Sequence, residues 1–216
     1  LGIGDLSPSP NSINIYNRSF ECSLSFTFIN RGEKETRSRN RNNSYSGDGG
    51  GCVAAWQAVK LIKDLGLKPK RTIRAVMWTN EENGLRGGEA YRDAHFDNLD
   101  NHILAMESDA GVFKPSGFGF SGPDESLKIL QDIGTLLYRI DSGKITKGGG
   151  GADIGPIMRE GVPGMGLKVD GSRYFWYHHT AADTFDKVDQ DEFNRCIATM
   201  AVMAYVVADM DERLPR

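Results

Sequence analysis

"RTIRAVMWTNEENG", residues 71–84, runs from an apolar, β-branched stretch straight into two adjacent glutamates. Residues 71–79 have little polar interruption, which predicts a strand in the interior of its sheet. Glu81 and Glu82 follow on the strand's end, where two like charges repel each other. One reading places them in the first turn of a helix, where negative charge favours the macrodipole. The other gives them a cation and a chemical task. Which reading holds depends on what else the chain brings to that place.

Working outward, the chain alternates strands and helices from Asp48 onward, the pattern of an α/β domain. Cys52, Ala55, Trp56, Val59 and Ile62 recur at helical spacing, and Gly66 ends that helix. A short helix through "GGEAYRDAH" follows the glutamates. "HILAMES" (102–108) is the next strand, and Asp124 is expected to cap a helix running to about Arg139. "GVPGMGLKV" (161–169) reads as another buried strand. A long helix from Gln190 to Asp209 closes the domain, with Phe193, Ile197, Met200, Ala204 and Val207 on its apolar face.

Residues 1–47 have a different texture. Ser, Asn, Arg and Gly dominate, and five basic residues fall between Arg31 and Arg41. That composition predicts a poorly ordered segment, although "CSLSFTFI" (22–29) alternates like a strand. A basic arm for nucleic acid is disfavoured because aromatic residues are not interleaved with the charges. The whole chain carries a net charge of −3 with 39% hydrophobic residues, the profile of a globular protein with no global pull towards polyanions. No stretch has the length of a membrane span. Asn17 and Asn42 begin acceptor triplets for glycosylation, relevant if the chain is secreted. Three scattered cysteines suggest neither a disulfide framework nor a metal pair, and Cys52 and Cys196 read as buried thiols.

The polar residues fall at strand ends. Glu81 and Glu82 follow the first of these strands, Asp109 the second, and His178 and His179 lie in the loop beyond the third. Ligands of open α/β sheets bind outside the carboxyl ends of the strands. Two acids and an imidazole brought together there suit Zn²⁺. One glutamate can then bind the metal while its neighbour takes a proton from water. Taken singly, Asp109 is an ordinary turn residue and His179 a partly buried histidine; the shared placement is the signal. His95 and His102 lack such company and are read as surface or strand-edge residues. Of "YFWY" (174–177), at least two side chains are expected in the core. The glycines 148–151 lack the ordered Gly-Lys-Ser/Thr of a phosphate loop and are read as a flexible loop.

"WTNEENG" (78–84), "MESDAG" (106–111) and "FWYHHTAADT" (175–184) resemble the zinc co-catalytic exopeptidase family, in the family's order, from about residue 48 to the C-terminus. The resemblance implies a three-layer αβα sandwich with a mainly parallel central sheet. It implies that Glu81 is the general base and that Glu82, Asp109 and His179 are metal ligands. Asp153, His178 and Asp183 are assigned substrate-contacting or supporting roles; for Asp153 a helix cap is the competing reading. The family binds two zinc ions and acts on small peptides, dipeptides among them, outside the cell or in a lysosome-like compartment. Homodimerisation is implied by the resemblance alone.

The departures are specific. Family members carry an upstream His-x-Asp and two consecutive aspartates, yet no histidine here precedes His95. Asp48 alone remains of the aspartate pair, with Gly47 in the bridging position. The domain is therefore expected to lack its N-terminal strands, with residues 48–216 a partial catalytic domain and one zinc ion or none. Rival readings are an inactive peptidase-fold chain serving as an interaction domain, and a glutaminyl cyclase-like acyltransferase with one zinc.

Overall fold

The computed structural model describes residues 24–29 and 49–216. Gly47, Asp48, the acceptor triplets and the basic stretch lie outside the described residues. Six strands, β1 (Leu24–Ile29), β2 (Thr72–Met77), β3 (His102–Ser108), β4 (Pro115–Ser121), β5 (Lys144–Lys147) and β6 (Gly164–Val169), form one sheet in the order β2-β1-β3-β6-β4-β5. β2, β3 and β6 point one way, and β1, β4 and β5 the other. The sheet is thus mixed, and the expected parallel arrangement holds for the three strands whose ends carry the acids and histidines. The link from β3 to β4 is too short for the crossover that parallel strands need, so β4 runs back antiparallel to β6.

Helices cover both faces. On one side α1 (Gly49–Asp64), α3 (Asp124–Gly134) and α6 (Gln190–Asp209) close a core containing Ala55, Ile62, Leu130, Met200, Ala204 and Val207. On the other, α2 (Arg86–His95) and α4 (Gly155–Arg159) pack around Trp78, Ala105, Ile154 and Ile157. β3 lies between the two cores with all seven residues buried. Each large apolar side chain buried there, such as Ile103 or Leu104, contributes about 1.5–3 kcal/mol.

Several expectations need correction. Among the described residues β2 lies at the edge of the sheet rather than in its interior, because β1 fills the slot between β2 and β3. Trp56 sits on the exposed side of α1. Asp124 opens α3 without capping it; its carboxylate bonds Lys147 instead, which holds its pKa low. Cys52 is disulfide-bonded, whereas Cys196 is free and buried. His102 is fully buried in β3, and with His95 it belongs to a polar network between α2 and the sheet. There Arg74 Nη1 donates to Tyr91 Oη at 2.9 Å, and Tyr91 Oη lies 3.1 Å from His102 Nε2.

The glycine run 148–151 is packed rather than free. It crosses the second face of the sheet from β5 towards β3, with Gly149 on Gly119 and Gly150 on Gly166. A Cβ at Gly166 would overlap the Gly150 carbonyl, so only a glycine track lets backbone lie flat on backbone here. The crossing ends with Gly151 against the Glu107 carboxyl group, and delivers Asp153 beside the end of β3.

Candidate active site

Glu81 and Glu82 sit in a tight turn between β2 and α2. The Glu81 carbonyl accepts from the N–H groups of Gly84 at 3.0 Å and Leu85 at 2.8 Å, with Asn80 and Leu85 in the left-handed region. α2 begins only at Arg86 and has Glu89 as the acid of its first turn. The macrodipole therefore does not account for the glutamate pair.

The partner comes from far along the chain. After β6, the chain forms the short helix α5 (Tyr174–Tyr177) and turns sharply through His179, a non-glycine residue at φ 55°. Backbone held in that region costs on the order of 1–3 kcal/mol and persists only where the surroundings impose it. The turn aims the imidazole at the β2 loop, where His179 Nε2 lies 2.8 Å from Glu82 Oε1. Both side chains are about half exposed. His178 stacks between Tyr174, at 4.5 Å between ring centroids, and His179, at 3.9 Å. None of the four residues of "YFWY" is buried, and Phe175 and Trp176 are exposed, against the expectation of core.

Asp109 follows β3 at the same end of the sheet. Burial pushes its carboxyl pKa up; His178 opposes that shift and Glu82 adds to it, so Asp109 lies within electrostatic reach of both. Asp183 is likewise raised by burial and held back by His178. Below this rim lie two carboxyl groups with almost no solvent contact, Asp153 (0% exposed) and Glu107 (1%). Glu107 Oε2 accepts the Ile154 N–H at 2.9 Å, while Glu107 Oε1, Ser108 Oγ and both Asp153 oxygens have no hydrogen-bond partner among the described residues. Burial raises the Glu107 pKa to about 7 and the Asp153 pKa to about 8; Glu107, Glu81 and Asp109 add their charge to the shift at Asp153. Asp153 is no helix cap, since α4 starts after it without a side-chain cap bond.

Glu107 is absent from the sequence-derived site. Its one signal was a carboxylate within a strand that is otherwise apolar or uncharged from Ile103 to Ser108. Among the described residues no group of three or more His, Cys, Asp or Glu side chains stands ready to hold a metal ion. Glu82 and His179 meet directly, and Asp109 is coupled electrostatically to Glu82 and His178 without joining the pair in one cluster. In donor chemistry the three fit a single divalent cation of the zinc type.

A fold with carboxylates and histidines gathered at the strand ends of an αβα sheet defines a class, and comparison with known proteins gives it a name. Residues 46–204 match the model of peptidase family M28, and the chain belongs to that family. It is similar to carboxypeptidase Q from Bos taurus (46% identity), Mus musculus (44%) and Homo sapiens (44%), each over 169 residues. Those alignments cover 78% of this chain and 36% of each relative, so the chain spans about a third of their length. A crystal structure of a peptidase M28 precursor from Shewanella amazonensis superposes with a TM-score of 0.70 at 30% identity, covering 78% of this chain and 38% of that one. No helix among the described residues is long and apolar enough to cross a membrane.

Proposed function

We propose that this chain carries the catalytic corner of a zinc-dependent exopeptidase acting on small peptides, dipeptides among them, in a secreted or lysosomal setting. The observation that carries the reading is the contact between Glu82 and His179, two loops distant in sequence, with Glu81 beside it and Asp109 coupled to it. Glu82, Asp109 and His179 would hold one zinc ion, and Asp48 is the remaining candidate ligand. When bound, the ion supplies Lewis-acid polarisation of a peptide carbonyl and a lowered pKa for water.

This chain's own residues do the rest. Glu81 accepts a proton from the attacking water and passes it to the leaving amine. Asp153 is electrostatically coupled to Glu81, and burial raises its carboxyl pKa to about 8. His178 is gripped by the Tyr174 ring and braces His179 from behind. Relatives bearing the name carboxypeptidase favour hydrolysis over a cyclase-type acyl transfer.

The test is dipeptide hydrolysis with added zinc by the full chain and by Glu81→Gln, alongside zinc content measured on both. A general base contributes about 10²–10⁴-fold, so the variant should retain zinc and lose at least that part of the rate. Equal background rates in both chains would remove the hydrolytic reading. Failure to retain zinc would remove its metal dependence.

A further inference from the structure

Asn83–Gly84 is the only Asn-Gly pair in the chain, and it follows Glu81 and Glu82 directly. Before a glycine, an asparagine side-chain amide is open to the next backbone nitrogen, because no Cβ stands in the way. Both residues are exposed, and a Cβ built on Gly84 would meet nothing within 4 Å. The turn around them is closed by backbone bonds. The Gly84 and Leu85 N–H groups donate to the Glu81 carbonyl, the Arg86 N–H to Asn80 at 3.4 Å, and the Gly87 N–H to Thr79 at 3.0 Å. Asn83 Nδ2 donates to Asn80 Oδ1 at 2.7 Å. Asn80, Gly84 and Leu85 are all held at positive φ. The pair thus lies inside the loop whose closure sets Glu81, Glu82 and the start of α2.

We propose that Asn83 is a covalent modification site, at which a succinimide formed through Gly84 dismantles the turn that carries Glu81 and Glu82. The Gly84 nitrogen attacks Asn83 Cγ; the N–Cγ bond forms, the Cγ–Nδ2 bond breaks, and the amide proton leaves with the nitrogen as ammonia. One water then opens the ring. Opening at Cγ gives aspartate; opening at the backbone carbonyl gives isoaspartate, in which the chain runs through the side-chain carbon. In the closed turn the Gly84 N–H is engaged by the Glu81 carbonyl, so the reaction proceeds from the opened turn, and its rate reports that opening. Either product prevents the turn from closing as before. Aspartate sets a third like charge beside Glu81 and Glu82, with an acceptor where Asn83 donated to Asn80. Isoaspartate adds a backbone methylene inside the loop that the bonds to Thr79, Asn80 and Glu81 span. The consequence for hydrolysis rests on the function proposed above; the modification does not.

The test is to age the full chain at mildly alkaline pH and follow each asparagine by peptide mapping in a mass spectrometer, with isoaspartyl methyltransferase labelling for the isoaspartate product. Asn83 should convert at least about tenfold faster than Asn98 and Asn194, which are also exposed but precede Leu99 and Arg195. Asn83→Gln should abolish the conversion, because its ring would need one more atom. Hydrogen exchange on the aged chain should show the Leu85 and Gly87 amides losing protection by about tenfold or more, with α6 unchanged. Zinc-supported dipeptide hydrolysis should fall in step with the converted fraction, while aged Asn83→Gln keeps the rate of its own fresh sample. Conversion no faster than at Asn98 and Asn194 overturns the proposal. So does a converted chain whose Leu85 and Gly87 amides stay protected, or one that keeps its full rate. A fresh chain with no hydrolysis at all removes the proposed function instead, and the map and the exchange still decide the modification.

Discussion

Two polar clusters, the first partly and the second fully buried, share the layer between α2, α4 and the sheet, and they are built in opposite ways. In the first, Arg74, Tyr91, His95 and His102 satisfy one another. His102 Nδ1 faces the Asn98 carbonyl at 3.1 Å, its Nε2 faces Tyr91 Oη, and His95 sits between Arg74 and the Tyr91 carbonyl. In the second, Glu107 Oε1 and both Asp153 carboxyl oxygens have no hydrogen-bond partner among the described residues. A satisfied network ties elements together, here α2 to β2 and β3. An unsatisfied one costs about 1–3 kcal/mol per group and persists where something other than stability maintains it. The second cluster is also the one electrostatically coupled to Glu81 and Asp109. Lack of partners among the described residues separates the cluster beside the proposed site from the structural one more clearly than residue type does.

The sharpest way to break this comparison is through pH, because the clusters predict slopes of opposite sign. Asp153 has an ordinary pKa of 3.8 and a folded value of about 8. Below pH 4 it is protonated in both states. From there up to pH 8 the folded chain keeps a proton that the unfolded chain releases, so stability falls as pH rises. Each proton so retained is worth about 1.4 kcal/mol per pH unit, several kcal/mol across the window. Asp153→Asn should flatten this slope by about one proton in urea unfolding measured from pH 5 to 9. An unchanged slope would mean that Asp153 is ionised in the folded chain and the cluster is not what it has been taken to be.

A smaller effect tests the packing that delivers Asp153. Gly151 has no room for a side chain, since a Cβ would overlap the Glu107 carboxyl carbon. Gly151→Ala should destabilise the chain by about 1–3 kcal/mol, the usual cost of overpacking. It should also reduce hydrolysis by more than the stability loss explains, because the crossing loop that carries Asp153 must lift. A loss of stability with full retention of rate would detach the glycine crossing from the proposed active site.

Much of this was legible in the chain. β3 and α6 were readable as bounded segments because their periodicity and flanking turns agree, and β1 because "CSLSFTFI" alternates. The Glu82–His179 corner was legible because both residues follow strands that share a direction, which puts their loops at one end of the sheet. Asp153 was visible as a residue but not as a buried acid, since its burial depends on glycines from two strands meeting the 148–151 crossing. Glu107 and His102 were obscured for a related reason. Both sit in β3, where β1 and β6 on either side remove the solvent that their polarity would otherwise suggest. The edge position of β2 was illegible because strand composition reports burial on the two faces and says nothing about who sits alongside.

The smallest effect tests the satisfied cluster. Tyr91→Phe removes one hydroxyl that joins Arg74 to His102, and the net loss should be about 1 kcal/mol at neutral pH by urea unfolding. The acid limb carries more information. Burial is the main cause that lowers His102 from 6.5 to about 4; the Asn98 carbonyl opposes it, and the charges of His95, Arg74 and Arg216 lower it further. Above pH 6.5 the imidazole is neutral in both states. Between 6.5 and 4 the unfolded chain takes up a proton that the folded chain refuses, so stability falls as pH falls. Without the Tyr91 hydroxyl donating to Nε2, the neutral ring loses one interaction that favours it beside burial, and the folded pKa should rise. The variant should therefore be less stable than the parent at pH 7 and lose less on acidification, so that the two curves converge towards pH 4. Parallel curves would show that the hydroxyl does not hold His102 neutral, and that this cluster too has an unmet donor or acceptor.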